Sequence, residues 1–102
     1  MKTTITIDRD ASDIPSDEVL NDESHKLGAS VDKDNGDIYL EFSSREAMRD
    51  FALSLLHESI YGAGDIEMYP LGFEGKWQVV SGVRLTESSS RIFINLPDDK
   101  HT

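Results

Sequence analysis

Two short alternating runs joined by an Asn-Gly pair constrain the fold of this chain more than any other feature. Residues 25–33 and 37–42 each carry an apolar side chain at every second position, and Asn35 and Gly36 stand between them. Such alternation is typical of a strand with one buried face, and Asn-Gly is the strongest short-range signal for a hairpin turn. We therefore predict a β-hairpin whose apolar face is formed by Leu27, Ala29, Val31, Ile38, Leu40 and Phe42.

Residues 43–61 carry the one clear helical pattern of the sequence. Ser43, followed three residues later by Glu46, gives a capping-box signature. Gly62 comes after the last periodic residue and can take the left-handed conformation that ends a helix. Apolar and polar residues separate onto two faces of this helix. The predicted apolar stripe consists of Ala47, Met48, Phe51, Ala52, Leu55 and Leu56, and the predicted polar face of Glu46, Asp50, Ser54 and His57.

Four further runs alternate in the same way and are predicted to be strands: residues 3–7, 65–69, 77–85 and 91–96. The predicted order of elements is therefore β-β-β-α-β-β-β. A single helix that covers one face of an antiparallel sheet buries all of these apolar stripes together. We predict one α+β domain over residues 1–102, with an antiparallel sheet of about five to six strands and one main helix packed on one face.

Acidic residues dominate the chain and are concentrated before the hairpin. The sequence has 20 acidic and 10 basic residues, which gives a formal charge of -10. Residues 8–24 hold seven of the acids and a single arginine, and we predict an acidic connection there, in which Ser16 can cap a short helix. Residues 97–102 are predicted to form a polar tail. A field of this sign disfavours direct binding to nucleic acid or to an anionic membrane surface.

The chain offers few groups for catalysis or metal binding. It has no cysteine, which removes disulfides, thiol catalysis and zinc–thiolate sites. Residues 32–37 partly match a calcium-binding loop, but Gly36 stands where a ligand belongs and Ser43 where a bidentate glutamate belongs. The three histidines are far apart, and the sequence has no nucleophile-elbow, phosphate-loop or metalloprotease motif. We predict a protein that is not an enzyme and that uses no metal or cofactor.

The distribution of apolar residues also bears on location. The first ten residues lack the apolar core of a secretory signal. No apolar run approaches the roughly 20 residues that span a bilayer. We therefore expect a cytoplasmic protein that does not enter a membrane.

If the aliphatic stripes face the helix, the outer face of the predicted sheet is rich in aromatic residues. Tyrosine and arginine are favoured interface anchors, which indicates a partner surface. Two simpler causes stay open, because the acidic connection can fold back over this face and scattered apolar residues are ordinary on protein surfaces. The residues that we predict on the outer face are Tyr39, Glu41, Glu67, Tyr69, Val80, Arg84 and Phe93.

Several blocks of the sequence carry a family resemblance. They are YLEFSSREAMRDF (39–51), LLHE (55–58), EMYPL (67–71), GVRL (82–85) and SSR (89–91). Together these blocks, which fall within residues 37–96, resemble the immunity proteins of bacterial polymorphic toxin systems, and among them the immunity protein 32 family. The resemblance implies a protein that binds and neutralises a cognate toxin domain. For a cytoplasmic inhibitor, the expected toxin is a nuclease or another enzyme that modifies nucleic acids or nucleotides.

The charge of the chain agrees with this function. An acidic inhibitor can occupy a basic active-site groove in place of nucleic acid, and it associates quickly with such a groove. One of the predicted anchors, Trp77, can instead belong to the core, because it shares a face with Val79 and Val83. The residues that we predict to contact the toxin are Asp17, Glu18, Asp22, Glu23, Tyr69, Trp77 and Arg84.

A function of a different class stays open from the sequence. The alternative is a small adaptor or regulatory domain that self-associates through a sheet edge or through its aromatic face. For such a domain we expect an oligomer that is insensitive to salt. For a toxin complex steered by charge we expect an association rate that falls as salt is added. The sequence alone does not predict the oligomeric state.

Overall fold

The computed structural model describes residues 1–62, 65–70 and 82–96. These residues form an α+β fold with one main helix, which confirms the predicted class. The helices and strands of the described residues are, in chain order, α1 (Asp17–Asn21), β1 (Lys26–Val31), β2 (Ile38–Phe42), α2 (Arg45–Tyr61), β3 (Ile66–Met68), β4 (Arg84–Leu85) and β5 (Ile92–Ile94).

The strands of the described residues form two sheets, and not the single antiparallel sheet of five to six strands that the sequence predicts. The larger sheet has the order β2-β1-β4, and the smaller sheet pairs β3 with β5. β1 is antiparallel to β2 but parallel to β4, with Leu27 opposite Leu85. The chain passes through α2 and β3 before it returns to β1, and this long crossover permits the parallel pairing.

Two of the predicted strands differ from the structure. Residues 3–7 form no strand, and no described strand pairs with them. Of the predicted strand 77–85, the described part is a strand only at Arg84–Leu85. Residues 77–81 and the predicted tail 97–102 lie outside the described residues.

The predicted hairpin is confirmed. β1 and β2 pair in a register that sets Ala29 opposite Leu40. The turn is closed by a hydrogen bond of 2.8 Å from the Asp32 N–H to the Asp37 carbonyl. Gly36 takes the left-handed conformation in this turn, with a φ of 80°. A residue without a side chain adopts that conformation at no steric cost, which explains the glycine.

The helix α2 is present, but its cap is Ser44 and not the predicted Ser43. The Ser44 hydroxyl accepts a hydrogen bond from the Ala47 N–H at 3.0 Å. Ser43 instead joins the segment before β1 to the start of α2, because its hydroxyl accepts from the Lys26 N–H and donates to the Ser24 carbonyl. Gly62 follows the helix as predicted, but with a φ of -75° it is extended and not left-handed.

The buried face of α2 is rotated from the predicted stripe. Ala47 and Phe51 are buried as expected, and Phe51 packs against Phe42 of β2 with ring centroids 5.7 Å apart. Met48, however, is 58% exposed, whereas Asp50 is completely buried. The prediction that Asp50 lies on the solvent face is therefore wrong. The core cluster consists of Leu27, Ala47, Phe51, Ile66, Met68, Val83 and Leu85.

Candidate partner-binding surface

The acidic residues 8–24 contain the short helix α1, which begins after Ser16 as the sequence predicts. The Ser16 hydroxyl accepts a hydrogen bond from the Val19 N–H at 3.4 Å. Asp17 and Glu18 occupy the first turn, where the helix dipole favours negative charge. Val19 is completely buried and fixes the helix to the rest of the protein.

A buried carboxylate holds the start of α1 against α2. The Ser16 N–H and the Ser16 hydroxyl both donate to Asp50 Oδ2, each at 2.8 Å. The other carboxylate oxygen, Asp50 Oδ1, lies 3.7 Å from Arg49 Nε. One side chain of α2 therefore satisfies two polar groups of the acidic segment and fixes its position.

Arg84 holds the other end of α1 and is not the exposed residue that the sequence predicts. Its side chain is buried, and its guanidinium donates to the Val19 carbonyl at 2.8 Å and to the Leu20 carbonyl at 2.9 Å. The last turn of α1 has no basic residue, so its free carbonyls need donors from elsewhere in the chain. Arg84 supplies them from β4, and the prediction of an outer-face position for Arg84 is wrong.

A third contact attaches the beginning of the acidic segment to the end of α2. The His57 Nε2–H donates to the Arg9 carbonyl at 2.7 Å. The Arg9 guanidinium lies over the Tyr61 ring, 5.3 Å from its centroid. The predicted position of His57 on the polar face of α2 suggests a side chain in solvent. In the structure, His57 instead contacts the acidic segment.

These contacts leave the acidic side chains of the segment turned to solvent. Glu18 lies 3.7 Å from Arg49, and both side chains are more than half exposed, so this ion pair adds little stability. The structure thus brings four of the predicted partner residues together on one ordered, exposed segment. They are Asp17, Glu18, Asp22 and Glu23.

Asp22, which follows α1, carries a perturbed carboxylate. Hydrogen bonds from Ser24 lower its pKa below the ordinary value of 3.8, and the nearby His25 and Arg84 act in the same direction. The Ser24 N–H donates to Asp22 Oδ1 at 3.0 Å. Asp22 therefore keeps its negative charge at any pH where an ordinary aspartate does.

Because the folded protein lowers the pKa of Asp22, this group stabilises the fold above its unfolded pKa and loses that contribution as the pH falls through the folded value. We expect the Asp22→Asn variant to lose less stability than the parent when the pH is lowered below 3.8. Carboxyl NMR titration of the parent and of Ser24→Ala separates the two bonds: loss of the Ser24 hydroxyl, the smaller cause, should raise the Asp22 midpoint only in part, because the Ser24 N–H, the larger cause, stays in place. An unchanged midpoint in Ser24→Ala would contradict a contribution of the hydroxyl, and a full return to the ordinary value would contradict the larger contribution of the N–H.

Two of the predicted outer-face aromatics meet on the smaller sheet. Tyr69 and Phe93 form an edge-to-face pair with centroids 5.9 Å apart, and the Arg91 guanidinium lies 5.6 Å from the Phe93 centroid. The Tyr69 hydroxyl donates to Glu67 Oε2 at 3.1 Å. This aromatic cluster lies on a different sheet from Tyr39 and Glu41. The predicted anchor Trp77, like Val80, lies outside the described residues.

A serine, a histidine and an aspartate lie in a row at the start of α2, but their geometry is that of a cap. Ser44 Oγ is 2.6 Å from His25 Nδ1, and it also accepts from Ala47. His25 Nε2 is 3.6 Å from Asp22 Oδ2, which is longer than a hydrogen bond. Ser44 is therefore engaged in the helix N-terminus. Within residues 1–62, 65–70 and 82–96, no three acidic or histidine side chains are grouped to hold a metal ion.

The residues that hold the segment in place are missed by sequence patterns. Asp50 follows the helical pattern of a solvent face, and Arg84 follows the alternation of an outer strand face.

No helix within the described part of the chain has both the length and the apolar character to cross a bilayer. No family model, curated protein or solved structure matches this chain.

Proposed function

We propose that this chain is a non-catalytic inhibitor that binds and neutralises a cognate toxin domain in the bacterial cytoplasm. The observation that carries the proposal is the acidic segment: its carboxylates are exposed, while its backbone is held by the buried side chains of Asp50 and Arg84. A binding surface that is ordered before it meets its partner loses less conformational entropy on association.

The sign and density of the charge select the partner. Residues 8–24 hold seven of the 20 acids of the chain. A toxin that acts on nucleic acids or nucleotides has a basic active-site groove, and an acidic surface competes for it while repelling nucleic acid itself. The resemblance of residues 37–96 to immunity proteins supports a toxin as this basic partner.

The residues have different roles in this proposal. Asp17, Glu18, Asp22 and Glu23 contact the toxin, and Tyr69 is an additional anchor on the smaller sheet. Trp77 keeps its predicted role as an anchor. Arg84 acts as a positioning residue, because its guanidinium is directed to the α1 carbonyls and not to solvent.

The decisive experiment looks for a toxin domain encoded immediately upstream of this chain and co-expresses the two; absence of such a gene would contradict the proposal. We expect cells to survive only when both proteins are produced, and the two to purify as a one-to-one complex. Neutralising Asp17→Asn, Glu18→Gln and Glu23→Gln together should slow association at low salt by roughly tenfold or more. Asp22 stays intact because it bonds to Ser24.

The matched control removes the same amount of charge elsewhere: Asp34→Asn, Asp37→Asn and Glu87→Gln, all on exposed residues. Both triple variants change the net charge equally, so only a local role of the acidic segment separates them. Equal association rates for the two variants would contradict the acidic segment as the contact surface. Cell death despite production of this chain would contradict neutralisation itself.

A further inference from the structure

Among the strands that the structure describes, β2 lies at an edge of the larger sheet, and half of its backbone groups have no partner strand there. In the hairpin, Asp37 and Ser43 bond toward β1, through the Asp32 N–H and the Lys26 carbonyl respectively. Along an antiparallel strand, the backbone N–H and carbonyl groups of successive residues point alternately toward the paired strand and away from it. The N–H and carbonyl groups of Ile38, Leu40 and Phe42 therefore point away from β1, and no described strand pairs with them.

This edge is also apolar. Ile38 is 72% exposed, Leu40 49% and Tyr39 46%. Proteins normally protect such an edge with lysine, proline or a bulge, because an open apolar edge pairs with other strands. Residues 38–42 contain no lysine or proline and only one charged residue, Glu41, so β2 carries little of this protection.

A second apolar surface lies on the same side of the molecule. Met48, Ala52 and Leu56, one per turn of α2, are all exposed. These three side chains lie on the flank of α2 that is opposite to Asp50. Asp50 itself faces α1. Because α1 is bonded to β4 and β2 is at the other edge of that sheet, this flank of α2 lies on the β2 side.

We propose that β2 pairs with β2 of a second copy of this chain, antiparallel and about a two-fold axis at Leu40. The two larger sheets then form one continuous sheet of six strands. Both copies of α2 lie on the same face of it, where their Met48-Ala52-Leu56 flanks meet. A symmetric interface needs one self-complementary patch, and the strand edge with the helix flank provides it.

The charged residues of β2 favour this register, and they allow the partner strand to come from a second copy of this chain. With the axis at Leu40, Ile38 faces Phe42 and Tyr39 faces Glu41 of the other copy, so no acid opposes an acid. With the axis one residue earlier, at Tyr39, each Asp37 faces a Glu41, and like charges directly opposite destabilise a sheet. The acidic segment lies beside β4, at the far edge of the sheet, so its charge is kept away from the axis.

The oligomeric state and its response to one substitution test the proposal. Light scattering coupled to size-exclusion chromatography should give twice the 11.4 kDa chain mass, at about 0.15 M and at about 1 M salt alike. Leu40→Lys should convert the dimer to a monomer with an unchanged circular dichroism spectrum, since Leu40 is half exposed. The matched control is Leu20→Lys on α1, where the leucine is 48% exposed and the dimer should persist.

Cysteine variants test the register, because the chain has no cysteine of its own. A hydrogen-bonded antiparallel pair has Cα atoms about 5.5 Å apart, within the range of a disulfide. Under mild oxidation, Leu40→Cys should form a cross-linked dimer, whereas Tyr39→Cys and Leu20→Cys should stay uncross-linked. A monomer at all concentrations, a dimer that Leu40→Lys leaves intact, or equal cross-linking of all three variants would overturn the proposal.

The dimer is independent of toxin neutralisation. It uses β2 and one flank of α2, and it leaves the acidic segment of both copies open. Failure of the light-scattering test would therefore remove the dimer without affecting the toxin experiment, and failure of co-expression protection would leave the dimer standing.

Discussion

Replacement of Asp50 by alanine is expected to lower the free energy of unfolding by about 3 kcal/mol, although aspartate is ordinarily a surface residue. The substitution removes two hydrogen bonds from the part-buried Ser16 to a carboxylate, and a hydrogen bond to a charged group contributes about 1.5–3 kcal/mol. Removal of a buried carboxylate, one of whose oxygens has no hydrogen bond from the described residues, offsets part of this loss. For a domain of this size the melting temperature should fall by roughly 10–25 °C.

The effect of Asp50→Ala should be largest in the acidic segment. A glutamyl endopeptidase can cut after Glu18 and Glu23, and both bonds should be cleaved faster when Ser16 is released from α2. Asp50→Asn keeps one acceptor for Ser16 and should fall between the parent and Asp50→Ala. Asp37→Ala, an exposed acid, is the control and should change stability by less than about 0.5 kcal/mol.

Two results would contradict the role of Asp50. A variant Asp50→Ala as stable as the parent would mean that the desolvation of the carboxylate cancels its hydrogen bonds. Unchanged cleavage after Glu18 and Glu23 would mean that the acidic segment is held without Asp50. Loss of toxin association in Asp50→Ala with Arg84 intact would further support an ordered segment as the binding surface.

The parts of the fold that can be predicted from the sequence are those set by local patterns. The hairpin follows from two alternating runs and a turn, and α2 from a 3.6-residue periodicity with polar caps. The parallel pairing of β4 with β1 joins residues nearly 60 positions apart, Leu27 and Leu85. Alternation states which face of a strand is apolar but not which strand lies beside it, so this pairing cannot be predicted.

The sequence predicts the charged residues of the candidate site but not the residues that support them. The exposed acids can be found because charge density is visible in the sequence. Asp50 and Arg84 are assigned to exposed faces, because periodicity treats a charged side chain as solvated. Their burial depends on partners distant in the chain, the Ser16 donors and the α1 carbonyls. When the hydrogen-bond partners of a polar residue are distant in the chain, the sequence around that residue does not predict its burial.

Gly82→Ala tests the close packing that positions β4 and, with it, Arg84. Gly82 has a φ of 82°, and a Cβ built on it would lie 2.8 Å from the carbonyl carbon of Asp50 and closer still to its oxygen. These are backbone atoms of α2 and cannot move aside as a flexible side chain can. The left-handed conformation costs an alanine about 1–2 kcal/mol, and the clash adds about 1–3 kcal/mol. We expect a total loss of about 2–5 kcal/mol in chemical unfolding.

Gly36→Ala separates the two contributions to this loss. Gly36 has nearly the same φ, 80°, but a Cβ there meets no atom within 4 Å. It should therefore lose only the conformational part, about 1–2 kcal/mol. The difference between the two variants measures the contact of β4 with the α2 backbone. Equal losses would mean that this contact relaxes freely, and the position of Arg84 under α1 would then need another support.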